Sequence, residues 1–363
     1  MAYAIIANVS EKWLDGMEGE RMELFLIPAV LLTLGTLLLD PLLVTCILWS
    51  PALRQETRYL LLANTLAADV AFACVNMAML TCAVLRVALL RVACEVALSA
   101  TVTAYCCAVL GVTSMVVDTY VAVRWPLHYD SLLTPTRARK ISAALWLLAA
   151  LYPLSLVIIL ELLEDNAPRQ LPLCLVLITV GALGKEMMVG VHMYFTIGAA
   201  LCFLLIVYCY ARLFAVTRHS GIWHQRYSRA RLTMLAHGTL LLLYFVPGLV
   251  FIVELALFER HQMEGQASVW VNMVNMSVFM LLPRACAPLL YGLRYREIYT
   301  MLKQLLFKRR QLSQAHPDPV TVKTTLVSIC TLHRCLLKHV SPRRHQDAAL
   351  FNQSLLSYCH LKI

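Results

Sequence analysis

The sequence predicts an all-α membrane protein: a bundle of seven transmembrane helices followed by a short amphipathic helix. Three observations carry this expectation. Of 363 residues, 60% are apolar and only 14% are charged, with a mean hydropathy of +0.70. A soluble domain carries about 25% charged residues, so the composition points to lipid as the solvent. Seven runs, at 24–49, 59–84, 94–123, 141–162, 189–217, 232–257 and 268–292, each supply the roughly 20 mostly apolar residues that a membrane helix needs. No run alternates with period two, which argues against a membrane barrel.

Residues 1–23 are polar and acidic and contain no cleavable signal pattern, so the first span is expected to act as its own insertion signal. The charges then set the orientation. With Met1 outside, only Lys12, Arg21, Arg86, Arg91, Arg169, Lys185 and Arg260 of the 31 Lys and Arg lie on the outer side. Arg284 lies within a span, and the remainder are cytosolic, as the positive-inside rule favours. The +10 net charge therefore faces anionic lipid and cytosolic partners. It is no nucleic-acid signal, because no soluble basic domain carries it. Asn8-Val9-Ser10 is a glycosylation acceptor on the outside. Asn275 falls in a span and Asn352 in the cytosol, so neither is expected to be used.

The loops are short and leave no room for a separate soluble domain. The inner segment 218–231 is rich in Arg and aromatics, with Arg226, Arg229 and Arg231 facing a partner or headgroups. After the seventh span, Leu293, Ile298, Met301, Leu302, Leu305 and Leu306 recur at helical spacing among basic residues. That pattern reads as a helix lying on the membrane surface over 293–310. Residues 311–363 read as a disordered cytosolic tail. No internal repeat marks the inverted halves of a transporter.

Most of the 13 cysteines lie in spans, where Cys behaves as a small apolar residue. Cys94 opens the third span at its outer end, and Cys174 lies in the outer loop between the fourth and fifth. The outside is oxidising, so these two can pair. Their bridge is favoured because it ties a long loop to a helix end; Cys82 is the competitor.

Specific motifs follow in order. "NTLAADVAF" (64–72) places Asp69 in the second span. Cys94 and Trp146 follow in the third and fourth. Asp118-Thr119-Tyr120 ends the third span, Tyr210 stands in "CYARLFAV", "YFVPG" (244–248) carries Pro247, and "APLLYGLR" (287–294) carries Pro288 and Tyr291. In this order the chain resembles the rhodopsin-like (class A) G-protein-coupled receptors over roughly 24–310. "PLLYGLR" is also similar to fish odorant receptors.

That resemblance implies a plasma-membrane receptor for an extracellular ligand, signalling to a heterotrimeric G protein. Its switch and coupling positions would be Asp118, Thr119, Tyr120, Tyr210, Pro247, Pro288 and Tyr291. Cys94 sits at the family's disulfide position. Several parts depart from the pattern. Thr119 stands where the family has the arginine of Asp-Arg-Tyr, and it can neither pair with the acid nor reach a G protein as a cation. Phe245 replaces the switch tryptophan, Ala287 the asparagine before Pro288, Asp40-Pro41 a Gly-Asn pair, and Cys202 a proline.

Charges in lipid are expensive, at about 2.5–3.5 kcal/mol or more. Asp40, Asp69 and Arg284 are the deep ones. The family holds sodium at the position of Asp69, but the matching helper positions here, Ala108, Pro283 and Ala287, offer no side-chain oxygen. Arg284 lies one turn before Pro288, on the face the family fold turns toward Asp69. It is expected to replace sodium as the counter-charge; pairing with Asp40 or a water chain is the alternative.

The ligand cavity implied by the fold would be lined by Thr101, Tyr105, Tyr194, Phe245, Leu249, Ile252 and Ser277, with His192, Glu254, Asn76 and Asn272 near its mouth. Thr101 stands where amine receptors have an aspartate, which argues against a biogenic amine and for a small, weakly polar ligand. No nucleophile, phosphate loop or metal-ligand spacing appears, so neither enzyme activity nor a cofactor is expected. Thr119 and Ala287 keep a second function open: a seven-span protein without G-protein coupling, acting as scavenger, decoy or heteromer partner. A transporter or channel is disfavoured by the few buried charges and the missing repeat.

Overall fold

A computed structural model describes residues 23–85, 87–163, 170–171, 174, 185–219, 227–259 and 265–294. The glycosylation acceptor Asn8, Arg226, the tail and all but the first two residues of the surface helix expected over 293–310 lie outside the described residues. Within them the chain forms seven long helices. These are α1 (Glu23–Trp49), α2 (Thr57–Val84), α3 (Arg91–Arg124), α4 (Pro135–Leu163), α5 (Lys185–His219) and α6 (Tyr227–Glu259), followed by an interrupted α7. The last is built from Gly265–Val274, a π-helical turn Asn275–Phe279, and Leu282–Arg294. Six stretches are long and apolar enough to cross a bilayer, and α6 adds a shorter apolar one, Gly238–Glu254.

Several helices outrun their apolar stretches. α3 has 34 residues and α5 has 35, so each is about 50 Å long at 1.5 Å per residue, beyond the ~30 Å hydrocarbon core. Hydropathy marks only the part in lipid. Polar helix formers such as Arg and Glu carry the helix on into water.

α3 is the central element and packs against α2, α4 and α5, with a lighter contact to α6. α1 covers α2 and α7, and α6 lies between α5 and α7. The buried residues form two layers. One, toward the disulfide, gathers Phe72, Leu98, Phe251, Met276 and Leu281. The other gathers Leu43, Leu62, Leu66, Val112, Met115, Tyr244 and Tyr291. The sides of α4 and α5 turn Leu147, Leu151, Leu154, Leu201, Phe203 and Leu204 outward, the apolar exposure that suits lipid.

Two local devices tie the bundle together around α3. The Trp146 indole N–H of α4 donates to Asn64 Oδ1 of α2 at 2.9 Å. Near the N-terminal end of α3, Cys94 is bridged to Cys174 with Cα atoms 5.7 Å apart, while Cys82 is a free thiol. Beside the bridge, Leu89 and Leu90 pair antiparallel with Leu171 and Gln170. The competing pairing with Cys82 does not occur.

Gly111 marks the closest approach of α2 and α3, since a Cβ there would collide with the Thr65 hydroxyl. Gly111→Ala is expected to destabilise the bundle by about 1–3 kcal/mol through overpacking. A lowered thermal midpoint of the detergent-purified chain would show it. Thr65→Ala in the same chain should restore the midpoint, because it removes the atom that collides.

Candidate functional site

The most unusual feature of the interior is a fully buried arginine. Arg284 has no solvent exposure, and neither does Asp69. Sequence explains its local setting. Pro283 has no N–H to donate, and the chain widens into the π-helical turn just before it, with Met280 N–H bonded to Asn275 C=O at 2.8 Å. The Met280 carbonyl accepts from Arg284 Nη1. Arg284 Nε lies 3.3 Å from Asp69 Oδ1. The Tyr244 hydroxyl of α6 donates to the other Asp69 oxygen. One cation–acid contact thereby joins α2, α6 and α7.

Aromatic faces complete the cage. The Arg284 guanidinium carbon sits 3.6 Å from the Phe72 ring centroid, 5.7 Å from that of Tyr105 and 5.9 Å from that of Tyr244. A desolvated guanidinium over an aromatic face gains about 2 kcal/mol or more. Phe72 follows Asp69 by three residues on the same helical face, and Tyr244 precedes Pro247 by three. That spacing was the signal in the sequence that could have found them. Tyr105 does more. Its hydroxyl donates to the Tyr244 carbonyl at 2.9 Å, beside Gly248, where a Cβ would strike the same hydroxyl. A side chain of α3 is thus seated against the backbone of α6 at its proline.

Sodium does not fit this arrangement. Asp69 already faces a guanidinium and a donating hydroxyl, and Ala108 and Ala287 are buried without oxygen donors. A cation at Asp69 would stand against the positive charge of Arg284.

The end of α3 carries the second constellation. Asp118 is buried, and the Tyr129 hydroxyl donates to its Oδ1 at 2.8 Å. Burial and the adjacent carboxylate push the Tyr129 phenol above its ordinary pKa, so it remains a donor at neutral pH. Thr119 Oγ1 turns back and donates to the Met115 carbonyl at 2.8 Å. Tyr120 stands edge-on to Trp125 and Tyr208, with centroids 6.0 and 6.2 Å away. Tyr291 is buried and Tyr210 is half-buried in the same apolar layer. Tyr129 was missed in the sequence because it falls after Pro126, in what reads as a turn.

In the other half of the bundle, Tyr194 stacks on Tyr152 at 4.3 Å, and Phe195 bridges Tyr194 to Phe251. Thr101 and Ser277 are buried, and their hydroxyls donate to the Ala97 and Met273 carbonyls within their own helices. Glu254 and Asn272 meet at 3.5 Å. Asn76 reaches the Met276 carbonyl at 3.1 Å. Phe245 and Ile252 are half-buried. Leu249 departs from expectation: it is 52% exposed, on the stripe Leu242, Val246, Leu249 and Val253. That spacing is one outward helix face, so Leu249 turns away from the interior that Tyr244 and Phe251 occupy.

Residues 41–341 match the family model of the 7 transmembrane receptor (rhodopsin family). The chain is 36% identical over 294 residues to probable G-protein coupled receptor 148 of Homo sapiens, covering 78% of this chain and 82% of that one. It is 25% identical over 256 residues to odorant receptor 131-2 of Danio rerio, covering 70% and 77%. It is 26% identical over 219 residues to olfactory receptor 1J1 of Mus musculus, covering 56% and 64%.

Removing one partner from a buried ion pair costs about 3–5 kcal/mol, because the other charge is left uncompensated. Arg284→Ala should therefore lower surface expression sharply, and Asp69→Asn in the same chain should recover part of it. Surface labelling of epitope-tagged chains measures both. Full expression of Arg284→Ala alone would count against the pairing.

Proposed function

The chain belongs to the rhodopsin family of seven-transmembrane receptors, and from that premise we propose that it is a plasma-membrane receptor coupling to heterotrimeric G proteins. Membership makes it a multi-pass membrane receptor and not an enzyme. In the proposed reading the N-terminus, with Asn8, faces outward. The Cys94–Cys174 bridge then marks the extracellular end, and the Asp118 end is cytosolic. The ligand enters between α3, α5, α6 and α7, near Thr101, Tyr105, Tyr194, Phe245, Ile252 and Ser277. It is non-aminergic, small and weakly polar, as the aromatic run Tyr194–Phe195–Phe251 and the inward-spent hydroxyls favour.

The observation that carries the coupling reading is the bond from Tyr129 to Asp118. The arginine that pairs with this acid elsewhere in the family is replaced by Thr119. Its restraining role passes to a tyrosine in the segment after α3. A charge-assisted hydrogen bond of this kind contributes about 1.5–3 kcal/mol. That is enough to bias a two-state equilibrium roughly tenfold or more toward the closed form, and a ligand favouring the open form would shift it back.

A second reading, a receptor-like protein without G-protein coupling, is favoured by Thr119 spending its hydroxyl on Met115 and by the buried Ala287. Basal G-protein activation separates the two. At matched surface expression the native chain should activate at least one G-protein family, and Tyr129→Phe, which removes this bond to Asp118, should raise that basal signal by up to about tenfold. Silence of the native chain, Tyr129→Phe and Thr119→Arg across all G-protein families would sink the coupling reading and leave the second.

A further inference from the structure

Asp40 is a fully buried acid that neither constellation uses. On α1 the buried positions Ala29, Thr33, Thr36, Asp40, Leu43 and Ile47 recur at three- and four-residue spacing, the seam turned to α2 and α7. Leu43 and Ile47 pack with Leu62 and Leu66 of α2 and with Ala287 and Tyr291 of α7. On the other side of Asp40, an added methyl on Gly35 would meet Ala285 of α7 at 3.8 Å. Asp40 therefore lies against the layer that holds Asp69 and Arg284.

Its surroundings do not support a negative charge. Asp40 has no solvent exposure, and neither carboxylate oxygen has a hydrogen-bond partner among the described residues. The charged side chains of that layer are the buried pair Asp69 and Arg284. The other titratable side chains described on the elements packed against α1 are Arg58, Tyr59, Cys74 and Cys82 on α2, Cys286 and Tyr291 on α7, and Arg54 in the short helix Pro51–Arg54. Cys46 lies on α1 itself. Arg58 is exposed and pairs with half-buried Glu56, and Arg54 is exposed. Two buried acids thus share one buried base, and that base is committed to Asp69. An ionised carboxylate left unpaired in such a medium costs several kcal/mol.

We propose that Asp40 is a proton-binding site, neutral while α1 is packed against α2 and α7 and ionised when those helices part and admit water. On release the carboxyl O–H bond breaks and the proton passes to water, leaving a carboxylate that the packed bundle cannot accept. The packed state binds one more proton than the separated state, so raising the pH favours separation. Acid holds α1 in place, and base loosens it. This site does not depend on G-protein coupling, and it makes the helix packing of a receptor responsive to pH.

The test is thermal unfolding of the full-length chain, purified in detergent, across pH 5.5–8.5 as a working range about the ordinary His and carboxylate values. For the wild type, the midpoint falls as pH rises, the unfolding constant growing by up to about tenfold per pH unit. Asp40→Asn, a neutral side chain of the same size, folds and removes that slope. Wild-type-minus-variant infrared spectra at neutral pH show the C=O stretch of a protonated carboxylic acid. An unchanged slope in Asp40→Asn, or a difference spectrum holding only carboxylate bands, overturns the proposal. So does failure of Asp40→Asn to fold, since an amide should replace a neutral acid without gross loss.

Discussion

The contact between Asp69 and Arg284 is the constraint on which the rest of the interior depends. Neither side chain can reach water, and each alone would carry a desolvation cost that real proteins meet only by pairing. The pair is held from several directions: the Met280 carbonyl and the Phe72, Tyr105 and Tyr244 rings around the guanidinium, and the Tyr244 hydroxyl on the acid. These residues come from α2, α3, α6 and α7. A change in the spacing of any of these helices must disturb the cage. The π-helical turn and Pro283 are the local backbone adjustments beside it.

This middle layer separates two ends with different chemistry. Toward the disulfide, hydroxyls and amides are spent within or between helices, and aromatics link α4, α5 and α6. Toward the other end, a carboxyl–phenol contact holds the close of α3 against the segment that follows. Tyr105 connects the layers. Its ring faces Arg284 and its hydroxyl lies on the α6 backbone beside Pro247, where a helix lacks one of its own hydrogen bonds. Motion of α6 about that proline would therefore be felt at the ion pair. Asp40 adds a second acid to the same layer from α1, with no hydrogen-bond partner for either oxygen among the described residues.

Much of the architecture was legible in the sequence, because lipid imposes a simple rule on length and polarity. The spans follow from the length of the apolar runs and the Cys94–Cys174 bridge from the place of Cys94 at a helix end, while the facing of Arg284 toward Asp69 is what the resemblance to the receptor family implies. The rest was hidden for definable reasons. Helix ends were underestimated because hydropathy is blind to polar helix that continues into water, as at Arg91–Val92 and Pro135–Lys140. Leu249 was misplaced because a uniformly apolar helix such as α6 gives no sign of which face turns outward; only the packed neighbours fix its rotation. Tyr129 was overlooked because a contact between residues 11 apart across a proline turn has no repeating pattern. Asp40 was visible as a deep acid, but its missing partners are a property of three dimensions.

The most direct measurement of the central claim is the sodium dependence of stability. If Arg284 supplies the positive charge at Asp69, the thermal midpoint of the purified chain should be the same in sodium chloride and in choline chloride at equal ionic strength. A native chain stabilised by sodium over choline would contradict the account, since it would place a metal ion where the guanidinium is said to lie.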